Sequence, residues 1–157
     1  MLYYGRGSET DDLSAAEVRE ALFGVLRQLG PRERVMAIPP DITRFHSRAG
    51  MLTGLVYDFY GRMLTDVLPA IGTHSPMTAA QIAEMFPGVP AGLFREHDWR
   101  KGIVTLGEVP ADFVREAAGG AVDYAWPVQV DRLLAERRHD LILSIGQVVP
   151  HEVMGMA

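Results

Sequence analysis

The sequence predicts an α/β fold, a mostly parallel sheet with helices on both faces and a site at the carboxyl ends of the strands. Short apolar runs that read as buried strands alternate with stretches of helical periodicity. Three of those runs lead into polar clusters: Asp41-Ile42-Thr43-Arg44, Gly72-Thr73-His74 and Pro150-His151. Open α/β sheets bind ligands in the crevice outside the carboxyl ends of their strands. The three clusters are therefore expected to share one pocket.

Each element has its own signal. Ser14-Ala15-Ala16-Glu17 is a capping box, in which serine and glutamate each satisfy an orphan backbone donor. Val18, Ala21, Leu22, Val25, Leu26 and Leu29 follow at the spacing of an amphipathic helix, which Gly30-Pro31 ends. Leu2 to Tyr4 is read as a short edge strand. Arg34 to Ile38 is read as a buried strand, stopped by Pro39 and Pro40, which lack the donors a central strand requires. Leu52, Leu55, Val56, Phe59 and Met63 place one apolar face on a helix from about Gly50 to Met63.

Asp66 to Ile71 is the second expected strand, with Pro69 breaking its regularity. A second capping box, Thr78-Ala79-Ala80-Gln81, opens a helix through Phe86. Trp99 to Leu106 is expected as a third strand and Ala111 to Ala118 as a short helix. Val122 to Val130 is read as extended and Asp131 to Arg138 as a short helix. Asp140 to Gly146 is the clearest strand of the chain.

Composition narrows the function. The 157 residues suffice for one domain with a real core. A net charge of -5 and the absence of any basic run argue against a nucleic-acid partner. No stretch reaches the ~18 apolar residues of a membrane helix, and no secretory signal opens the chain. A cytoplasmic protein is the expectation. The absence of cysteine removes disulfides, thiolate metal sites and cysteine nucleophiles.

The chemistry rests on the strand-end clusters. Arg44 could grip a carboxylate or phosphate by two parallel hydrogen bonds, and Asp41 could hold that guanidinium or orient a neighbouring histidine. His74 follows Gly72, which lets backbone approach a ligand, and precedes a capped helix, where free N–H groups favour neutral imidazole. His151 repeats the situation after the last strand. His97-Asp98 is read as an oriented histidine or a loop pair, and His46 as within reach of the Arg44 pocket. His139, before a strand, belongs to the opposite sheet edge and is read as structural. No His-x-x-x-His spacing announces a preformed zinc site.

Asp41-Ile42-Thr43-Arg44, Gly72-Thr73-His74-Ser75-Pro76-Met77-Thr78 and Pro150-His151-Glu152-Val153-Met154-Gly155, in that order, resemble the N-terminal half of the nickel-pincer lactate racemase family. The resemblance implies a racemase or epimerase of 2-hydroxy acids, using a nickel pincer nucleotide that takes and returns a hydride. It casts His74 and His151 as the acid–base pair and Arg44, Asp41 and Thr43 as the substrate wall. Gly72, Thr73 and Thr78 fall to the cofactor side. It also makes 1–157 an N-terminal domain of a longer chain, with the anchoring lysine and the nickel-ligating histidine expected beyond Ala157 and no metal ligand within it. Glu152 to Met156 depart from the wording of the lactate enzymes, which points to another hydroxy acid. A small-molecule substrate and a possible homo-oligomer are the implied partners. The alternatives are a non-catalytic anion- or nucleotide-binding module, or an inactive fragment exposing apolar surface.

Overall fold

The computed structural model describes all residues except Arg137, Glu152–Met154 and Ala157, and the side chains of His151, Gly155 and Met156 are likewise outside the description. Helix α1 (Ala15–Leu29) opens on the expected capping box, with Ser14 and Glu17 bonded reciprocally. Strand β1 (Val35–Ile38) follows, then a 3-10 turn (Ile42–Ser47), α2 (Ala49–Tyr60) and β2 (Leu64–Val67). Helix α3 (Ala79–Met85) starts at Thr78, whose capping box with Gln81 is also formed. Next come β3 (Ile103–Val109), α4 (Ala111–Ala117), β4 (Trp126–Asp131), α5 (Arg132–Ala135) and β5 (Leu141–Ser144). A short pair, β6 (Pro150–His151) and β7 (Gly155–Met156), closes the described chain.

The main sheet has three parallel strands in the order β2-β1-β5, flanked by helices, so the predicted α/β class holds. β1 is central, and Val35, Met36 and Ala37 on it are fully buried. Its ladder with β5 runs in register from Val35↔Leu141 to Ile38↔Ser144. Beyond β2 the chain stays extended: Ala70 N–H donates to the Pro39 carbonyl at 2.7 Å, and Pro40 bridges Ala70 in parallel. The sheet edge thus continues past the prolines up to Asp41.

Several boundaries differ from expectation. β2 begins at Leu64, and the regular ladder ends before Pro69, which has no N–H to give. β3 lies four residues later than predicted at its start and pairs antiparallel with β4 in a separate ribbon. Residues 2–4 form no strand and are exposed. The buried side of α2 is Ala49, Gly50, Thr53, Val56 and Tyr60, a face rotated from the predicted one, because this helix is apolar around most of its circumference. Phe59 packs instead against Phe23 of α1, edge to face at 5.1 Å. Gly50 lets α2 meet α3: a Cβ there would lie 1.9 Å from the Met85 carbonyl oxygen.

A buried polar group in β2 ties the far parts of the domain together. Asp66 accepts hydrogen bonds from His139 Nε2 at 2.7 Å, Arg95 Nε at 2.7 Å and the Thr65 hydroxyl at 2.8 Å. His139 is 3% exposed along its side chain, the structural role expected of it. Burial pushes the Asp66 carboxyl up, but its hydrogen bonds from His139, Thr65 and Arg95 outweigh that and hold it below the usual carboxylate range.

A carboxyl depressed in the folded state contributes stability above its unfolded pKa of ~3.9, and that contribution is lost as pH falls through the lower folded value. Asp66→Asn should therefore cost about 2–3 kcal/mol at neutral pH and soften the loss of stability below pH ~4, read by urea titration across pH. Gly50→Ala should cost about 1–3 kcal/mol by the same measurement, since backbone and not a movable side chain blocks the added methyl.

Candidate active site

Asp41 follows the double proline at the end of the central strand and is almost fully buried. It caps the 3-10 turn, its Oδ1 accepting the Thr43 N–H at 3.0 Å and the Thr43 hydroxyl. Its other oxygen faces the second cluster, where Oδ2 lies 2.7 Å from His74 Nδ1. Two of the three strand-end clusters are thus joined by a direct hydrogen bond. Of the two roles open to Asp41 in the sequence, the structure gives it the orientation of a histidine.

The turn that delivers His74 is built by Gly72 at φ 58°, a conformation that costs a residue with a Cβ, and closed by the His74 N–H on the Ile71 carbonyl at 2.9 Å. Burial pushes the Asp41 carboxyl up, but the hydrogen bonds from Thr43 and His74 outweigh it and keep the group below the usual carboxylate range. An ionised carboxylate can only accept, so His74 carries its proton on Nδ1. In the neutral ring that leaves the Nε2 lone pair free. The ring is 59% exposed along its side chain, so that lone pair is open to a ligand.

His74 borders a polar cleft of about 380 Å³. Thr73, His74 and Ser75 line one wall, and His97, Arg100 and Lys101 line the other. The second wall arrives through β2. Phe94 bridges Val67 in parallel, and Arg95 N–H donates to the Val67 carbonyl at 2.8 Å, so 94–97 runs beside β2 towards its carboxyl end. His97 is oriented, as one reading of the sequence allowed, but its partner is Asp131 and not the adjacent Asp98. Its Nδ1 lies 2.8 Å from Asp131 Oδ2. Asp98 instead caps its own loop, accepting the N–H groups of Arg100 and Lys101. Arg100 and Lys101 are exposed and border the cleft; Arg100 stacks over Trp99 at 3.8 Å.

The remaining candidates divide. Arg44 sits exposed at a kink in the 3-10 turn and makes no ion pair among the described residues. His46 lies edge to face with Phe45 at 5.7 Å and is exposed. The Thr78 hydroxyl and backbone N–H are both committed to the Gln81 capping box. His151 is the second residue of β6, but its side chain lies outside the described residues, as do Glu152–Met154. Among the described residues no group of three or more His, Asp or Glu could hold a metal ion. No helix there is long and apolar enough to cross a membrane.

Fold and cleft together define an α/β domain with a histidine–carboxylate pair at the carboxyl edge of its sheet. No family model matches the chain, and no curated protein does. Solved structures do. A Thermotoga maritima protein from a structural genomics programme superposes with a TM-score of 0.79 at 27% identity, covering 93% of this chain and 36% of that one. The lactate racemase apoprotein of Thermoanaerobacterium thermosaccharolyticum superposes with a TM-score of 0.58 at 18% identity, covering 88% of this chain and 30% of that one. The chain therefore shares its fold, at a distance, with lactate racemase and spans about a third of the length of either protein.

Asp41→Asn would offer His74 an amide in place of an obligate acceptor. The expected result is a loss of the fixed Nδ1–H tautomer, seen by nitrogen NMR of the His74 ring as a shift towards the Nε2–H form or a mixture.

Proposed function

We propose that this chain supplies the acid–base part of a racemase or epimerase acting on a 2-hydroxy acid. The observation that carries the reading is the 2.7 Å hydrogen bond between Asp41 and His74. It joins two of the three motifs that carry the lactate racemase resemblance, in a fold that lactate racemase shares. The His74 Nε2 lone pair would accept the substrate hydroxyl proton, and the imidazolium so formed would be offset by the Asp41 carboxylate. Thr43 keeps the Asp41 carboxylate ionised and aimed. The carboxylate of the substrate would be drawn by Arg44, and motif order makes His151 the partner base.

The cofactor implied by the resemblance is a nickel pincer nucleotide, which takes hydride from the hydroxyl-bearing carbon and returns it. The described residues contain no donor set for nickel, so that group does not fit within this part of the chain, and no proton step described for His74 passes through it. Gly72 and Thr73, which precede His74, are the residues the resemblance puts on the cofactor side.

The competing reading is an anion-binding module at the start of α3. It is disfavoured because the capping box already takes the N–H groups of Thr78 and Gln81, in a helix of only seven residues. In the full-length, cofactor-loaded enzyme, His74→Ala should lower interconversion of 2-hydroxy acid enantiomers by ~10²–10⁴-fold in both directions. Some melting temperature should be lost as well, because the buried Asp41 carboxylate gives up one hydrogen bond, so turnover is compared at a temperature where the variant is folded. Undiminished turnover in that variant, measured by chiral chromatography, would remove the proposal.

A further inference from the structure

Gly50 and Gly54 lie one turn apart on the side of α2 that meets the end of α3 and the turn after it. At Gly50 the two segments touch, since an added Cβ would lie 1.9 Å from the Met85 carbonyl oxygen. At Gly54 they have parted, and a Cβ would meet only the Pro87 carbonyl oxygen, at 4.0 Å, an ordinary contact. A groove of about 450 Å³ opens there, and it shares no lining residue with the His74 cleft. Glycine inside a helix costs stability relative to alanine. The close approach at Gly50 requires it, whereas at Gly54 what it secures is empty space.

Met51, Leu55 and Met85 give the groove apolar lining, and the half-open ring of Phe45 borders it. Three charged residues border it too. Asp58 is already paired with Arg19 at 2.8 Å. Arg48 and Glu84 are exposed and enter no ion pair among the described residues, with each other or with any other group. Arg48 also holds a left-handed φ of 61°, a strained conformation that no other Cβ-bearing residue adopts among the described ones. A single unpaired surface charge is ordinary. A free cation and a free anion on one apolar groove suit a ligand that carries both signs, because a purely anionic one would be repelled by Glu84 and a purely cationic one by Arg48. We propose that this groove binds a free α-amino acid with a large apolar side chain, its carboxylate taken by Arg48, its ammonium by Glu84 and its side chain by the apolar lining. The volume falls within the ~300–1,000 Å³ of small-molecule sites. Thioethers such as those of Met51 and Met85 pack well against an aromatic ring, so phenylalanine is the matching probe. This site stands apart from the racemase or epimerase reading of His74 and does not depend on it.

The test is a calorimetric titration of the unaltered chain with three probes: L-phenylalanine, phenylalaninamide, which lacks the carboxylate, and 3-phenylpropanoate, which lacks the ammonium. Phenylalanine should saturate the chain, and each of the other two should bind about tenfold more weakly. Arg48→Gly, which accepts the left-handed φ without strain, should lower phenylalanine to the affinity of its amide. Glu84→Gln should lower it to that of 3-phenylpropanoate. Gly54→Leu should fill the groove and abolish binding, with the fold checked by circular dichroism. No saturation by phenylalanine below ~10 mM, or equally tight binding of either analogue to the unaltered chain, overturns the amino-acid assignment. Undiminished binding in a folded Gly54→Leu chain overturns it as well, since the ligand then sits elsewhere. Because the three probes are compared on the unaltered chain, instability of a variant does not decide the outcome.

Discussion

A buried carboxylate at the end of the central strand sets the terms for the candidate site. Burial alone would drive Asp41 towards its neutral form. It stays ionised because the Thr43 N–H and hydroxyl take one oxygen and the His74 ring takes the other. The dependence runs both ways. Thr43 holds its place because Asp41 caps the 3-10 turn, and the 72–76 turn is tied to the end of β1 through His74. The strand order β2-β1-β5 adds the topological reason. The chain leaves β1 for a neighbour on one side and later returns to the other, which opens a crevice at the carboxyl end of β1. Asp41 is the first residue past that end, after the prolines.

Three histidines of this chain meet aspartates, and they differ in the surroundings of their second nitrogen. In the Asp66 network, histidine, arginine and threonine converge on one carboxylate, and the remaining His139 nitrogen is enclosed. Such a group holds β2, the 94–97 segment and the approach to β5 in fixed relation, and any exchange of its protons would cost the fold. In the Asp41 and Asp131 pairs the carboxylate is buried while the ring reaches outward. The same pairing can thus brace a core or aim a base. What separates the two is whether the far nitrogen has somewhere to go.

How much of this could be read from the sequence follows from how local each signal is. The two capping boxes involve residues three apart and were legible in full, and β1 and β5, short apolar runs bounded by breakers, were legible apart from one or two residues at their ends. The start of β2 was not, because Leu64 follows a helical turn with no breaker between them. The core face of α2 escaped for the opposite reason, a surplus of apolar residues that leaves periodicity nothing to select. At the site, the Asp41–His74 pairing was foreseeable as one of two roles for a carboxylate beside a histidine-bearing cluster. The Asp131 partner of His97 was not, since 34 residues separate them and the adjacent Asp98 offered a nearer choice. No sequence pattern states that 94–97 runs alongside β2, and that placement is what carries His97 to the cleft.

The exposure of His74 bears on the order of events in any reaction there. An imidazole 59% open to solvent can bind a hydroxyl and exchange its proton with water at hand. Hydride movement at the adjoining carbon, on the proposed reading, would be different, because water competes for reactive intermediates and weakens the electrostatic terms that favour such a transfer. The geometry of Asp41, Thr43 and His74 is already set by buried hydrogen bonds and needs no ligand to assemble it. Covering the cleft would therefore change the solvent around a base whose aim is fixed beforehand. On the racemase or epimerase reading proposed for His74, proton transfer is the part of the chemistry that an open site can prepare.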